Sequence, residues 1–412
     1  MNVFSSSWSQ VKGGVIVPGD FLGSADTCGL KTFNKKDIAL ILAPEQSSCA
    51  GVFTKSKVRS ACIDLNIKRI TDNPGKLRAI FINSGYANAC TGKQGLVDAM
   101  EITTQLAKIL NIEEDSILIC STGVIGQKLP MDKILPCLPN LVSRLGKETS
   151  QDIAESILTT DLTTKEIVLQ KKLGDQLVNI GGVAKGSGMI YPNMATMLSF
   201  LTCDAFVEER IWQSIIQKAV AKSFNAISVD GDTSPNDSFI AFSSGQTLSA
   251  KYLKELEEGV SLACQYLAMA IARDGEGANC LIEIEVRGTG TEEEAITIAR
   301  QICNSSLVKT AIHGCDPNWG RIIAALGNID YKFNFEDVNL FIGPYQLMKN
   351  GEPILIDQTI VSQYMRDKMN GQYLKEDIIQ ICLEIGNLSC SGKAWGCDLS
   401  DQYIRINADY TT

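Results

Sequence analysis

Three short apolar runs dictate how this chain has to fold. DIALILA (Asp37 to Ala43), LRAIFINSG (Leu77 to Gly85) and SILICSTG (Ser116 to Gly123) each end in turn residues, the mark of buried strands. Helical spacing lies between and after them. Leu96, Ala99, Thr103, Leu106 and Leu110 recur on one face of GLVDAMEITTQLAKIL, and Ile211, Ile215, Ala219 and Val220 on one face of EERIWQSIIQKAVAKSF. A longer helix is expected over 250–273. LIEIEV, Leu281 to Val286, alternates strictly and predicts a strand with one solvated face, while Asn350-Gly351 in KNGEP predicts a type I′ hairpin, since both central residues need positive φ. The tail YIRINADY reads as a last strand. Because strands and helices intermix without a regular βαβ period, the expected class is α+β, with layered sheets between helices. No repeats, low-complexity tracts or linker-like stretches mark a boundary, although Arg287 to Thr291 suggests a hinge into a C-terminal lobe from about 288.

Charge and composition prune the functional classes. With 38 Lys plus Arg against 47 Asp plus Glu, the net charge of −9 lacks the basic field of a nucleic-acid binder, which favours a small-molecule substrate. The N-terminus MNVFSSSWSQVKGG has no apolar run behind a basic start, and no stretch of about 18 apolar residues occurs, so a soluble, unexported, cytoplasmic protein without membrane contact is expected. The 14 cysteines are scattered with no CxxC pair, and Cys120 and Cys382 lie in apolar runs; reduced, buried thiols are expected. His313, in TAIHGCDPNWG, is the sole histidine. A Ser-His-Asp or Cys-His system would rest on that residue, a two-histidine zinc site is excluded, and a general base has to be sought elsewhere.

Four stretches can carry chemistry. In GGVAKGSGM, Gly181, Gly182, Gly186 and Gly188 bracket Lys185; the spacing matches neither a P-loop nor GxGxxG, and reads as a tight turn or as close backbone approach around one cation. Directly downstream, YPNMATMLSF contains Thr196. Two readings stand for it: a β-branched strand residue, or a nucleophile whose activating base is its own α-amine, released by cleavage before Thr196. An α-amine has a pKa of about 7.7–8.0, near working pH, whereas an ordinary lysine at about 10.4 is protonated. Ser121-Thr122-Gly123 ends an apolar run, either as a plain turn or as a hydroxyl and a backbone N–H aimed at an oxyanion. Glu276 lies between glycines in DGEGANC. Finally, SVDGDTSPNDS gathers Asp230, Asp232 and Asp237 but misses the EF-hand spacing, so no metal is expected.

Taken together, these stretches resemble the ornithine acetyltransferases, the glutamate N-acetyltransferases of arginine biosynthesis. The resemblance runs nearly end to end, through DIALILAPEQSSCAGVFTKSKVRSA, INSGYANACTG, STGVIG, GGVAKGSGMIYPNMATMLSFLTCDA, SFNAISVDGDTSPND, GEGANCLIEI, DPNWGRIIAALG and AWGCDLSDQYIRINADYTT. It departs at Tyr86, where asparagine is expected. The resemblance implies a self-processing fold similar to that of N-terminal-nucleophile enzymes. It implies cleavage between Ala195 and Thr196 into an α chain, 1–195, and a β chain, 196–412, which assemble as an α2β2 heterotetramer. It implies that Thr196 is the nucleophile, that Thr122 and Gly123 form the oxyanion hole, and that Thr159, Lys185, Thr196, Glu276, Asn407 and Thr412 bind substrate. Lys185 would meet a substrate carboxylate, Glu276 the ornithine ammonium, and Asn407 and Thr412 would offer neutral hydrogen bonds. The implied reaction is ping-pong transfer of acetyl from N2-acetyl-L-ornithine to L-glutamate through acetyl-threonine, with no metal or permanent cofactor and with acetyl-CoA a further candidate donor. The competing readings are a self-processing aminopeptidase of the related superfamily and an uncleaved, non-catalytic binding protein.

Overall fold

Alternation along the apolar runs sorts their side chains into two cores. In the computed structural model, which describes residues 7–191 and 197–408, the strands Leu22–Asp26, Ile38–Leu42, Ala79–Tyr86 and Ile117–Val124 form a four-stranded sheet in that order. The last two run parallel and the others antiparallel. Successive side chains of a strand point to opposite faces. Ile38, Leu40, Phe81, Ile117 and Ile119 therefore pack on one side, with Ile102 and Leu106 of the helix Gly92–Leu110 and Leu138 of Met131–Ser143. Ala39, Ile41, Ile80, Ile82 and Leu118 face the other way, onto Val183, Leu198, Phe200, Ile240 and Phe242 of a second sheet.

That second sheet has six strands in the order Ser9–Val11, Lys165–Leu173, Gln176–Lys185, Leu198–Phe206, Ser238–Thr247 and Ser47–Phe53. Its far face is covered by helix: Trp212 Nε1, on Glu209–Ala221, donates to Ala241 O (3.0 Å), and a Cβ at Gly182 would lie 2.9 Å from Leu267 Cδ1. The result is an α/β/β/α sandwich, the layered arrangement that doubly covered apolar strands require. These elements make up the first of two units, residues 1–186, 193–221 and 233–267.

The second unit comprises residues 187–192, 222–232 and 268–412. Its seven-stranded sheet has the order Ile227–Ser228, Cys390–Cys397, Leu281–Thr289, Ile378–Glu384, Asn339–Ile342, Tyr345–Lys349 and Glu352–Pro353. Ile282, Ile284 and Val286 pack on the helices Glu292–Cys303, Ser306–His313, Trp319–Gly327 and Gln358–Met369. The opposite face is polar, as the LIEIEV alternation predicts, but not uniformly wet. Glu283 is buried because Lys393 Nζ, Trp395 Nε1 and Gln380 Nε2 all donate to it. Residues 287–289 finish this strand, and Thr291 caps the next helix with a reciprocal Thr291–Glu294 capping box. Asn350 (φ 51°) and Gly351 (φ 76°) form the expected hairpin turn.

Three sequence expectations need correction. The tail forms a helix, Asp401–Ala408, not a strand: Asp401 in its first turn suits the helix N-terminus and pairs with Arg405 one turn on (3.1 Å), which outweighs the β preference of Tyr403, Ile404 and Ile406. Leu96 and Ile211 are exposed, because the buried stripes of their helices run through Ala99, Ile102 and Leu106 and through Trp212, Ile215 and Ile216. Cys382 is only half-buried, on the polar face of the second unit's sheet, whereas Cys120 is buried. All 14 cysteines are free thiols. Among the described residues, no helix is long and apolar enough to cross a membrane.

Candidate active site

The end of the strand Ile117–Val124 is held from outside the sheet by side chains. It is an edge strand, and its unpaired backbone groups are taken up by the helix Ala61–Asp72. Asn66 exchanges hydrogen bonds with Ile119 through Nδ2 to O (2.8 Å) and N to Oδ1 (3.0 Å), and Arg69 Nη1 donates to Ile117 O (2.6 Å). Asn236 Nδ2 donates to Ser121 O (2.8 Å) and Ala87 O (2.5 Å), and Ser121 Oγ to Asn83 Oδ1 (2.6 Å). Thr122 and Gly123 follow this pinned stretch. Gly123 pairs with Gly85 and has φ +132°, and a Cβ there would overlap Gly85 C and O and lie 2.5 Å from Tyr86 N. Only glycine suits that position, for conformation and for space.

Lys185 ends the strand Gln176–Lys185, opposite Leu198, which lies two residues beyond Thr196 in sequence. Its side chain is 2% exposed. Nζ donates to Thr159 Oγ1 (2.7 Å), reaches Thr122 Oγ1 at 3.5 Å, and lies 3.8 Å from Asp161 Oδ2. Asp161, fully buried, organises the group: Oδ1 accepts from Lys165 Nζ (2.8 Å) and Gly186 N (2.6 Å), and Oδ2 from Thr159 N (3.0 Å). Burial alone would raise its carboxyl, but Lys185, Lys165 and these N–H donors hold it well below the usual carboxylate range. Lys31 lies near the same cluster, its Nζ donating to Ser156 O (2.9 Å) and Lys36 O (3.0 Å). Burial lowers its pKa to about 8 despite Asp37, and the Lys185 charge adds to the effect.

Asp237 completes the first unit's share. Oδ1 accepts from Met197 N (3.0 Å), the amide directly after Thr196, while Oδ2 accepts no hydrogen bond among the described residues. Burial pushes this carboxyl well above its ordinary range, against the Met197 N–H, Lys185 and the Ser234 and Thr54 hydroxyls. Lys165 and Lys185 both approach the carboxylate of Asp161, at 2.8 and 3.8 Å.

In the second unit, Glu276 accepts from Asn407 Nδ2 (2.8 Å), so the helical tail brings together two of the residues expected to bind substrate. A Cβ at Gly188 would lie 2.5 Å from Glu276 Cδ, and Glu276 N donates to Ser187 O (3.2 Å). Gly188 thus serves the close approach expected of the glycine cluster. Asp230 accepts from Met189 N (2.6 Å) and Ile190 N (2.8 Å). It is engaged by backbone amides, and among the described residues no group of three His, Cys, Asp or Glu side chains has a metal-holding arrangement. His313 is also in this unit, its Nδ1 2.9 Å from Asp398 Oδ2.

Of the residues anticipated from sequence, Lys185, Thr122 and Thr159 come together, Gly123 adjoins Thr122, and Glu276 pairs with Asn407. Ala195, Thr196 and Thr412 lie outside the described residues. Asp161 and Lys165 were not anticipated, and Asp237 was noted only as a member of the acidic stretch SVDGDTSPNDS. A signal existed for the first two, since an acid and a lysine four apart in DLTTK follow Thr159 closely; nothing local tied Asp237 to the Met197 amide.

The ArgJ family model matches residues 23–412. The chain belongs to the ArgJ family. Within that family, the chain is 54% identical over 408 residues to the arginine biosynthesis bifunctional protein ArgJ of Prochlorococcus marinus strain NATL2A, covering 99% of this chain and 97% of that one. It is 47% identical over 416 residues to the ArgJ of Synechococcus sp. strain ATCC 27144, covering both in full. The crystal structure of ArgJ from Bacillus halodurans is 38% identical and covers 51% of this chain and 97% of that chain, with a TM-score of 0.47. This ArgJ family member is an enzyme of arginine biosynthesis, an acyltransferase of the glutamate N-acetyltransferase type.

Proposed function

We propose that the chain cuts itself between Ala195 and Thr196 and then moves an acetyl group from N2-acetyl-L-ornithine to L-glutamate through an acetyl-Thr196 intermediate. In this reading Thr196 Oγ attacks the donor's acetyl carbonyl, and the Thr196 α-amine freed by cleavage takes up the hydroxyl proton. The Thr122 hydroxyl and Gly123 N–H meet the negative charge that develops on the carbonyl oxygen. Ornithine leaves with its amine protonated, and the glutamate amine then accepts the acetyl group from Thr196. Lys185 receives a substrate carboxylate, with Thr159 orienting its Nζ. Glu276, oriented by Asn407, receives the side-chain ammonium of ornithine, and Thr412 contributes a neutral hydrogen bond.

The observation that carries the reading is that Lys185 Nζ lies within 3.5 Å of both Thr122 Oγ1 and Thr159 Oγ1 in a buried cluster. Three residues distant in sequence converge there on one anion-attracting point. The relatives are named bifunctional, and we extend the reading to acetyl-CoA as a second donor, used without a resident metal or cofactor. We further propose a cytoplasmic enzyme whose segments 1–195 and 196–412 stay associated as an α2β2 assembly.

The test joins a gel to an assay. Purified protein should run as two bands, and Thr196→Ala as one band near 44.7 kDa with no acetyl transfer to glutamate from either donor. An active Thr196→Ala variant, or an active wild type of one unbroken chain, would refute the mechanism. Rapid hydrolysis of the acyl-enzyme by water, without glutamate acetylation, would favour the aminopeptidase reading instead.

A further inference from the structure

In a strand, the backbone N–H and C=O groups of every second residue point to the same edge. Along the open edge of Ile117–Val124, Arg69 takes Ile117 O, Asn66 takes both groups of Ile119, and Asn236 takes Ser121 O. Gly123 is the next residue in that series. The first two holders belong to one helix, Ala61–Asp72, whereas Asn236 arrives from a segment far downstream in the same unit.

Asn236 acts where the sheet ladder is irregular. Pairing with the strand Ala79–Tyr86 shifts between Gly85 and Tyr86, so that Tyr86 faces both Thr122 and Val124. Such a shift disrupts the regular hydrogen bonds that would otherwise fix a strand end. Asn236 Nδ2 spans the irregularity, donating to Ser121 O on one strand (2.8 Å) and to Ala87 O just past the other (2.5 Å). The residue is buried and its own backbone is tied down. Asn236 N donates to Ser234 Oγ (3.1 Å), Ser60 N to Pro235 O (3.0 Å), Thr54 Oγ1 to Ser234 O (2.8 Å) and Thr54 N to Asp237 O (3.1 Å).

We propose that Asn236 is a positioning residue for the oxyanion hole, its amide clamping Ser121 and Ala87 so that the Thr122 hydroxyl and the Gly123 N–H stay aimed at one point. The inference rests on the reading of Thr122 and Gly123 as oxyanion donors. Such donors work by being fixed before charge develops, and a misplacement of about 1 Å costs roughly 100-fold in rate. The need for a clamp follows from Gly123 itself: the close approach to Gly85 demands a glycine, and glycine is the residue whose backbone is least restrained on its own.

The nitrogen of the amide has to face the two carbonyls, since an oxygen there would set acceptor against acceptor. Asn236→Asp keeps the shape and offers at most one donor hydrogen, when protonated, in place of two; Asn236→Ala removes the group. Asn66→Ala is the structural comparator, because it takes two hydrogen bonds from the same edge further from Gly123. Initial rates with glutamate and N-acetylornithine are taken per cleaved chain, with cleavage read by gel and melting temperatures measured alongside. Both Asn236 variants should lose roughly 100-fold in kcat, with KM for each substrate within about threefold of wild type. Asn66→Ala should lower the melting temperature as much as Asn236→Ala while costing at least about tenfold less in kcat. A kcat near wild type in the Asn236 variants, or losses that Asn66→Ala matches, would overturn the inference. Loss of folding or of cleavage in both Asn236 variants would make the amide a structural strut and overturn it as well. A wild-type kcat in Thr122→Ala would instead sink the oxyanion reading, and the inference with it.

Discussion

Asp161→Asn changes one atom type in the most densely bonded carboxylate of the candidate site. The Asp161 oxygens take up Lys165 Nζ, Gly186 N and Thr159 N, with Lys185 Nζ at 3.8 Å. Because every partner is a donor, the new NH2 must face one whichever way the amide turns. The side chains of Lys165 and Asp161 are 0% exposed and that of Lys185 is 2% exposed, so the ion pairs both lysines make with Asp161 would be weakened out of water. Removing one partner of a buried pair costs about 3–5 kcal/mol, which for a unit of this size lowers the melting temperature by on the order of 10 °C. In steady-state assays with glutamate and N-acetylornithine, KM should rise as Lys185 shifts. The pH dependence follows from the same geometry. The folded carboxyl lies below its unfolded value of about 3.9, so its stabilisation is fully present above that pH and fades as pH falls towards the folded value. Asp161→Asn should flatten that acid limb. A variant melting within about 2 °C of wild type, with an unchanged acid limb, would show that the cluster is not held by this carboxylate.

Three further outcomes are expected. Thr122→Ala should lower kcat by about 100-fold or more with little change in KM, because an oxyanion donor acts mainly in the transition state; a pure KM effect in initial-rate kinetics would contradict the role. Gly123→Ala should destabilise by about 2–6 kcal/mol, from roughly 1–3 kcal/mol of backbone strain at φ +132° and a similar overpacking cost against Gly85, and a thermal melt matching wild type would deny the close approach. Glu276→Gln should raise KM for N-acetylornithine about tenfold or more, since a charge-assisted hydrogen bond to the ammonium becomes a neutral one, with kcat less affected. An unchanged KM in that variant would remove Glu276 from ornithine recognition.

Local patterning was enough to place most of what makes up the layers. DIALILA, LRAIFINSG and SILICSTG became three adjacent strands of the four-stranded sheet because runs of apolar residues suit a strand packed on both faces, and that demand is local. Asn350-Gly351 turned as its two positive φ angles require. The tail went the other way: YIRINADY carries Tyr and Ile at strand-like spacing, but an i,i+4 Asp401–Arg405 pair and an acid in the first turn made it a helix. Leu96 and Ile211 matched the period and still point to solvent, because a helix shows which residues share a face but not which face its neighbours will cover.

The chemistry divides along the same line. The sites of Thr122, Gly123, Thr159, Lys185, Glu276 and Asn407 were read through the resemblance to the ornithine acetyltransferases, since taken alone Thr122-Gly123 and the glycines around Lys185 read equally as turns. Their partners were not. Asp161 binds Lys165 four residues on but also Gly186 twenty-five residues away, Asn236 reaches the backbone of Ala87 and Ser121, and Asp237 takes the amide of Met197. Burial, hydrogen bonding and the sign of a pKa shift depend on distances through space, and those exist only once the sheets have stacked; a linear sequence carries side-chain chemistry but not the dielectric around it.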